Sequence, residues 1–333
     1  NDSHVGLGTD GKIYTCGYGD RGQCGNNASV DRNHYWYNVE TESGITLTGI
    51  VDIYHWSYDE YTALGARDNL GQIWVWGYNR LGLLGTGDNN ERAFAEKIYD
   101  TTDSNKFPSD NVPAADLICS SDSHDINHVT YIKTSDTVPR FYAFGDNEYY
   151  MTGAGHANDM TTPTLLEHGP FVKELFKIER IAVDGGYLNG SSSGSGNSWE
   201  SGTTMCITTD IADPTKYRLW GAGSDAHGVL GRSHYNTIEA GGGDVGKANK
   251  ASEYFAEIPI DRRILPLVRD IIISNNYNDG THKMGQQGTI HLTDGRCYWS
   301  GVVTYNKDGM SGHKDDDHNM IGTWTKGIWS SND

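Results

Sequence analysis

The sequence predicts an all-β fold, a β-propeller of about five large four-stranded blades, its ring closed by pairing of the N- and C-terminal strands. Three observations carry this. A strand ending in glycine recurs, with anchoring glycines 17, 77, 145, 221 and 301 spaced 60, 68, 76 and 80 residues apart. Further glycines follow at fixed offsets: Gly22 and Gly25, Gly82 and Gly85, Gly153, then Gly228 and Gly231. A continuous apolar segment precedes each hairpin after the first. A period of this size is one supersecondary unit repeated around a ring or along a stack.

The elements follow in order. Asp10-Gly11 lies between the runs His4–Thr9 and Lys12–Cys16, a short-hairpin signal. Asp294-Gly295 does the same between Thr289–Thr293 and Arg296–Trp299. Cys16, Trp76, Phe144 and Trp220 stand directly before anchoring glycines and are read as inter-blade core. The third copy has Tyr150 where a glycine is expected, the fourth loop reads two residues longer, and the fifth lacks the clean glycine tail.

The apolar segments are Val51–Tyr54, Ala115–Cys119, Arg180–Val183 and Arg269–Ile273. Continuous apolar runs are expected of strands covered on both faces, and these are assigned to the innermost strand of each blade, lining a channel. The first unit has no such strand before His4. Residues 326–333 supply it when the chain is read circularly, which would leave no strand edge exposed. The chain is therefore expected to form one domain, with units of roughly 1–49, 50–114, 115–177, 178–267 and 268–325, and with 326–333 completing the first blade.

Three stretches resemble the regulator-of-chromosome-condensation-like β-propeller repeat family. Residues 4–14 (His-Val-Gly-Leu-Gly-Thr-Asp-Gly-Lys-Ile-Tyr) are similar to its strand–turn–strand hairpin. Gly17-Tyr18-Gly19-Asp20-Arg21-Gly22-Gln23-Cys24-Gly25 and residues 77–85 are similar to its glycine-spaced loop. The likeness touches every unit. It implies the propeller fold; the family's members include exchange factors for a small GTPase, a β-lactamase inhibitor and a photoreceptor, so it implies no one partner.

A formal net charge of −18 repels phosphate backbones, so no nucleic-acid partner is expected. No run of about 18 apolar residues exists, so no membrane insertion is expected. No signal peptide is visible, and a chain beginning at Asn1 reads as a processed product or part of a longer polypeptide. Five cysteines exclude a complete internal disulfide framework; Cys16 and Cys24 flank one loop and are read as apolar fillers rather than a bonded pair.

Binding residues are sought on connections held by the scaffold. The insertion Asp31–Asn38 carries Tyr35, Trp36 and Tyr37, rings suited to stacking on a sugar or anchoring a protein. Trp56 and Tyr58 fall at the end of an inner strand, near a channel mouth. Tyr149 and Tyr150 sit in the third glycine loop. These are the candidate binding residues. His124 with His128, and Asp315–His318, are weighed as metal ligands and set aside, so neither a metal nor a cofactor is expected. The loops 189–197 and 239–244 read as flexible.

No GxSxG elbow, HExxH pair or phosphate loop is present, and the chain is expected not to be an enzyme. Asp52, Asp116 and Asp270 recur at equivalent positions, which favours a structural place over one acid and one base. Three functions stay open. The first is a binding or adhesion propeller on an extracellular or virion surface, part of a phage or viral appendage (tail or capsid fibre), contacting host-surface glycan or protein and other virion proteins. The second is a soluble protein-binding regulator or inhibitor. The third is a channel-mouth glycosidase.

Overall fold

The computed structural model describes residues 3–27, 32–58, 61–102, 108, 110–119, 129–184, 202–225, 229–231, 252–276, 285–303 and 319–326. They fold into antiparallel sheets, one per repeat. Blade 1 has β1 (His4–Leu7), β2 (Ile13–Gly17) and β3 (Arg32–Asn38). Blade 2 has β4 (Ile50–Tyr58), β5 (Tyr61–Asp68), β6 (Ile73–Gly77) and β7 (Arg92–Tyr99). Blade 3 has β8 (Ala114–Ile118), β9 (Val129–Thr134), β10 (Phe141–Gly145) and β11 (Met160–Leu165). Blade 4 has β12 (Phe176–Asp184), β13 (Thr203–Asp210), β14 (Tyr217–Gly223) and β15 (Ser252–Glu257). Blade 5 has β16 (Val268–Asn276), β17 (Gly285–Leu292), β18 (Cys297–Val303) and β19 (Asn319–Lys326). Each sheet runs in chain order, strand pairing to next strand, as a meander propeller blade does.

The chain divides into two compact units. The first holds Asn1–Glu148 with Asn158–Leu166, which are blades 1 to 3. The second holds Tyr149–Ala157 with Glu167–Asp333, which are blades 4 and 5 and one excursion of the third repeat.

Blade 1 shows three strands among the described residues. Strand β1 touches β4 as β5 touches β8 and β13 touches β16, so β1 holds the second place in its blade. Its first place is the one assigned to 326–333, of which 327–333 lie outside the described residues. The hairpins stand where the sequence puts them. Gly11 takes φ 73 and Gly295 φ 85 in the two Asp-Gly turns, and the first closes with the Gly8 N–H donating to the Lys12 carbonyl at 2.9 Å.

The apolar segments are the first strands of blades 2 to 5. They are not covered on both faces: Val51 and Ile272 are 42% and 46% exposed. Each first strand ends a sheet and carries a one-residue bulge, at Val51, Ala115, Glu179 and Arg269. A bulge breaks the strict alternation of faces, so residues on both sides of it read as one apolar run. In the second unit the Arg180 guanidinium donates to the Arg269 carbonyl at 3.1 Å, joining two first strands.

The structure corrects the register of blade 4. The anchoring glycine sits in β2, β6, β10 and β18 at φ 97, 97, 106 and 97. In β14 that conformation falls on Gly223, at φ 95, and not on Gly221. Gly223 pairs with Thr203 as Gly77 pairs with Ala63 and Gly145 with Val129. From Gly223, Gly231 follows at the same offset that separates Gly17 from Gly25 and Gly77 from Gly85, so the fourth loop is not longer. The residue before the anchor is then Ala222, fully buried. Trp220 drops to the row of Trp74 and Tyr142, three before the anchor. It is half-buried, its indole N–H donating to Thr208 Oγ1 at 2.9 Å and its ring edge-on to Phe176.

Two of the residues before the other anchors build the core, while Cys16 is half-buried and outside it. Trp76 and Phe144 are fully buried. The Trp76 indole N–H donates to the Gln23 carbonyl at 3.0 Å, six residues past Gly17. In blade 5, Ser300 Oγ donates to the Val229 carbonyl, six residues past Gly223. The same blade-to-blade hydrogen bond is thus made by an indole in one place and a hydroxyl in another. The five cysteines are free thiols, with Cys24 buried at an apolar position of the repeat.

Candidate functional site

The outer strands separate one blade from the rest. In blade 2, Gly77 pairs with Arg92 and Val75 with Glu96, so residues 93–95 bulge between the two pairs. Blade 3 leaves 161–163 between its pairs, blade 4 leaves 253–255 and blade 5 leaves 322–324. In blade 1, Gly17 pairs with Arg32 and Thr15 with Tyr37, which leaves 33–36. The outer strand of blade 1 therefore carries one residue more than any other. Bulges re-aim side chains, and they concentrate beside functional sites.

The bulges of blades 2, 3 and 4 are docking places for the preceding glycine loop. In the first unit Asn26 bridges to Phe94, and the Asn27 N–H donates to the Ala93 carbonyl at 2.9 Å. The Gly87 N–H donates to Thr161 at 2.7 Å. In the second unit Ala154 bridges to Tyr254, and the Gly155 N–H donates to Glu253 at 2.9 Å.

At the wider bulge Tyr35 and Trp36 are 70% and 57% exposed. They lie on strand β3, not on an irregular insertion as the sequence reading had it. Gly6 gives Trp36 its seat: a Cβ there would stand 3.9 Å from the indole ring. The ring edge lies beside Gly6 of β1, and more than half of the side chain meets solvent. Tyr37 is half-buried beside them. The aspartates of blade 1 are paired: Asp10 with Lys12 at 3.5 Å and Asp20 with Arg21 at 3.9 Å. The Tyr14 hydroxyl donates to Asp10 at 2.9 Å and the Tyr18 hydroxyl to Asp20 at 2.8 Å. The first of these bonds holds the Asp10 carboxyl below its ordinary range.

The other candidates fare differently. Trp56 is 1% exposed, packed with Leu117 and Ile132 in the core of blades 2 and 3, and leaves the binding set. Past the Val51 bulge it joins the core of blades 2 and 3, while Ile50 before the bulge joins that of blades 1 and 2. Tyr58 closes β4, and its side chain lies outside the described residues. Tyr149 and Tyr150 are half-buried in the third glycine loop. Tyr150 takes φ 60 at the position where Gly22 and Gly82 take φ 83 and 74. A left-handed conformation costs a non-glycine residue about 1–2 kcal/mol, and such strain is kept where the surroundings or function require it. The loops 189–197 and 239–244, His124, His128 and Asp315–His318 lie outside the described residues.

The recurrent aspartates are each committed. Asp52 pairs with the Arg67 guanidinium. Asp116 accepts from the Tyr54 hydroxyl at 3.0 Å and from the Leu117 N–H at 2.9 Å. Asp270 pairs with Arg269 at 2.8 Å. Burial, with the Asp116 charge beside it, pushes the Tyr54 phenol well above its ordinary value. This is a set of strand-end ties, not one acid facing one base.

Two features escaped the sequence reading. Tyr254, on the bulge of blade 4, is 63% exposed. Asp146 is buried, its Oδ2 without a hydrogen-bond partner. The signal for Asp146 was available: it stands directly after the anchor, where Tyr18 and Tyr78 stand in the first two repeats.

Comparison with known proteins gives the fold. Human WBSCR16 superposes with a TM-score of 0.52 at 14% identity, over 89% of this chain and 58% of that one. The fold is a β-propeller of the regulator-of-chromosome-condensation type. Saccharomyces cerevisiae Prp20p, in a structure concerned with its binding to Gsp1p and histones, is similar at 14% identity and TM-score 0.43, over 99% of this chain and 76% of that one. Yeast RCC1 (Prp20) bound to Kap60 is similar at 16% identity and TM-score 0.42, over 99% and 73%. No family model matches the sequence, and no curated protein matches it. The chain spans 58% of the length of WBSCR16. These neighbours overturn the extracellular or virion-surface placement: they are intracellular propellers, and none is a phage or viral appendage. Long polar loops and acidity, which suggested a displayed appendage, are equally properties of a solvated propeller rim.

Proposed function

We propose that this chain is a non-enzymatic, protein-binding propeller, a regulator or scaffold whose partner docks on the outer strand of blade 1. The observation that carries the reading is the widened bulge 33–36, with Tyr35 and Trp36 exposed on a strand held by β2. Large rings on a rigid strand give contact area at little cost in side-chain entropy, and Trp and Tyr dominate interface energies. With a net charge of −18 over the whole chain, the partner surface is neutral or basic. Neighbours of the same fold supply precedent: Prp20p is described with Gsp1p and histones, and yeast RCC1 with Kap60.

The test is a Tyr35→Ala/Trp36→Ala double variant. It melts as the wild type does and loses the partner that wild-type chain captures from an extract of its source cells. A lowered melting temperature would show that the two rings pack under another part of the chain, and would end the reading. Undiminished capture would move the interface elsewhere.

A further inference from the structure

Asp146 follows the anchoring glycine of β10, and Asp159 immediately precedes β11. Between them the chain leaves the first compact unit at Tyr149 and returns to it at Asn158. The two carboxylates therefore stand on the two sides of a neck. Their surroundings are uneven. Asp146 is 1% exposed, while Asp159 faces solvent. Asp146 Oδ1 accepts the Glu148 N–H at 2.8 Å. Asp159 Oδ1 accepts the Asn147 N–H at 3.5 Å, a long bond. Asp146 Oδ2 is buried and has no donor. A buried carboxylate oxygen without a donor costs several kcal/mol if it carries charge. The oxygen that lacks a donor belongs to the carboxyl that faces Asp159 within hydrogen-bonding range.

We propose that Asp146 and Asp159 share one proton across this neck, and that its loss loosens the loop between them. In the closed form one O–H bond on Asp146 donates to an ionised oxygen of Asp159. Removing the proton to water leaves a buried carboxylate on Asp146 facing the charged, exposed one of Asp159. Like charges at this range cannot both be tolerated, as in paired-aspartate sites. Burial is the main cause that raises the Asp146 carboxyl to about 7, and the charges of Asp159 and Glu148 add to it. Against these stands the Glu148 N–H, which favours the ionised form. The charged groups that reach Asp146 are thus both acidic: Glu148 from its own loop and Asp159 from the lead-in to β11. The loop in question carries Tyr149 and Tyr150 and, within the second unit, docks on the blade 4 bulge through Ala154 and Gly155. Near-neutral pH would set how firmly this loop is held.

The experiment is a carbon-13 titration of the aspartate side-chain carboxyls in the intact chain. Amide protection of residues 147–153 is followed over the same pH range. Asp146 is expected to titrate near pH 7, and protection to fall at least fivefold across that step. Asp159→Asn should move the Asp146 titration downward by removing the facing charge, and Asp146→Asn should leave protection flat. An Asp146 midpoint below pH 5 would overturn the proposal, as would loop protection that ignores pH. If millimolar Ca2+ shifts both carboxyl resonances and restores protection at high pH, the pair is a cation site and the shared proton is wrong. The wild-type titration alone decides the matter if either variant fails to fold.

Discussion

Trp76 is the residue on which inter-blade packing can be measured most sharply. Its ring is fully buried among Ile13, Val39, Leu64 and Ala95, and its indole N–H is the donor for the Gln23 carbonyl. Trp76→Ala removes the buried ring, at about 3–5 kcal/mol. It also leaves that carbonyl unpaired unless water enters, at about 1–3 kcal/mol more. The expected loss is therefore about 4–8 kcal/mol. Trp220→Ala removes a half-buried ring, one hydrogen bond to Thr208 and an edge contact with Phe176. It should cost about 2 kcal/mol. Trp36→Ala removes a ring that is 57% exposed, and should cost under about 1 kcal/mol. Urea melts of the three variants give the order Trp76, then Trp220, then Trp36. Compact units can melt separately, so fluorescence and circular dichroism should be followed together. Equal losses at Trp76 and Trp220 would refute the corrected register of blade 4. A loss at Trp36 as large as at Trp76 would place that ring in the core.

Further outcomes follow from the same geometry. Gly223→Ala should destabilise more than Gly221→Ala. At Gly223 the new methyl meets the Gly202 carbonyl with φ at 95, whereas at Gly221 it meets the movable ends of Leu230 and Ile258; paired thermal melts check this. Tyr150→Gly should be more stable than Tyr150→Ala by about 1 kcal/mol, because only alanine keeps the left-handed strain; denaturant midpoints read the difference. The raised Asp146 carboxyl favours the protonated fold, so its contribution is fully present below the unfolded value near 3.8 and is lost as pH rises through about 7. About three units at about 1.4 kcal/mol each bound the loss at roughly 4 kcal/mol. Asp146→Asn should flatten stability across that window, and an unchanged slope would assign it to other groups.

The repeat was legible because its glycines are required by the backbone. An anchor at φ near 97 admits little else, so the period survives wherever the strand end does. The same logic failed in blade 4, where two glycines stand two apart and only Gly223 has the required conformation. Residue type alone does not separate them; the offset to Gly231 does. The first strands were found but their burial was misread, since a bulge places apolar residues on both faces of an edge strand. That bulge also sets Trp56 on the face that packs against blade 3. Tyr35 and Trp36 were picked out by composition alone. What marks them is the extra residue in β3, a count against the other outer strands that needs the pairing. Asp146 was passed over because a lone aspartate in a loop is ordinary; its place directly after the anchor, that of Tyr18 and Tyr78, was the sign to follow.

The protein-binding face proposed on blade 1 can be tested directly. The direct measurement is the dissociation constant of the purified partner, by calorimetry, for wild-type chain, Tyr35→Ala/Trp36→Ala and the exposed control Val51→Ala. Loss of two aromatic anchors at about 1–2 kcal/mol each predicts weakening of at least tenfold, with Val51→Ala unchanged and all three proteins melting alike. Wild-type affinity in the double variant would contradict the claim.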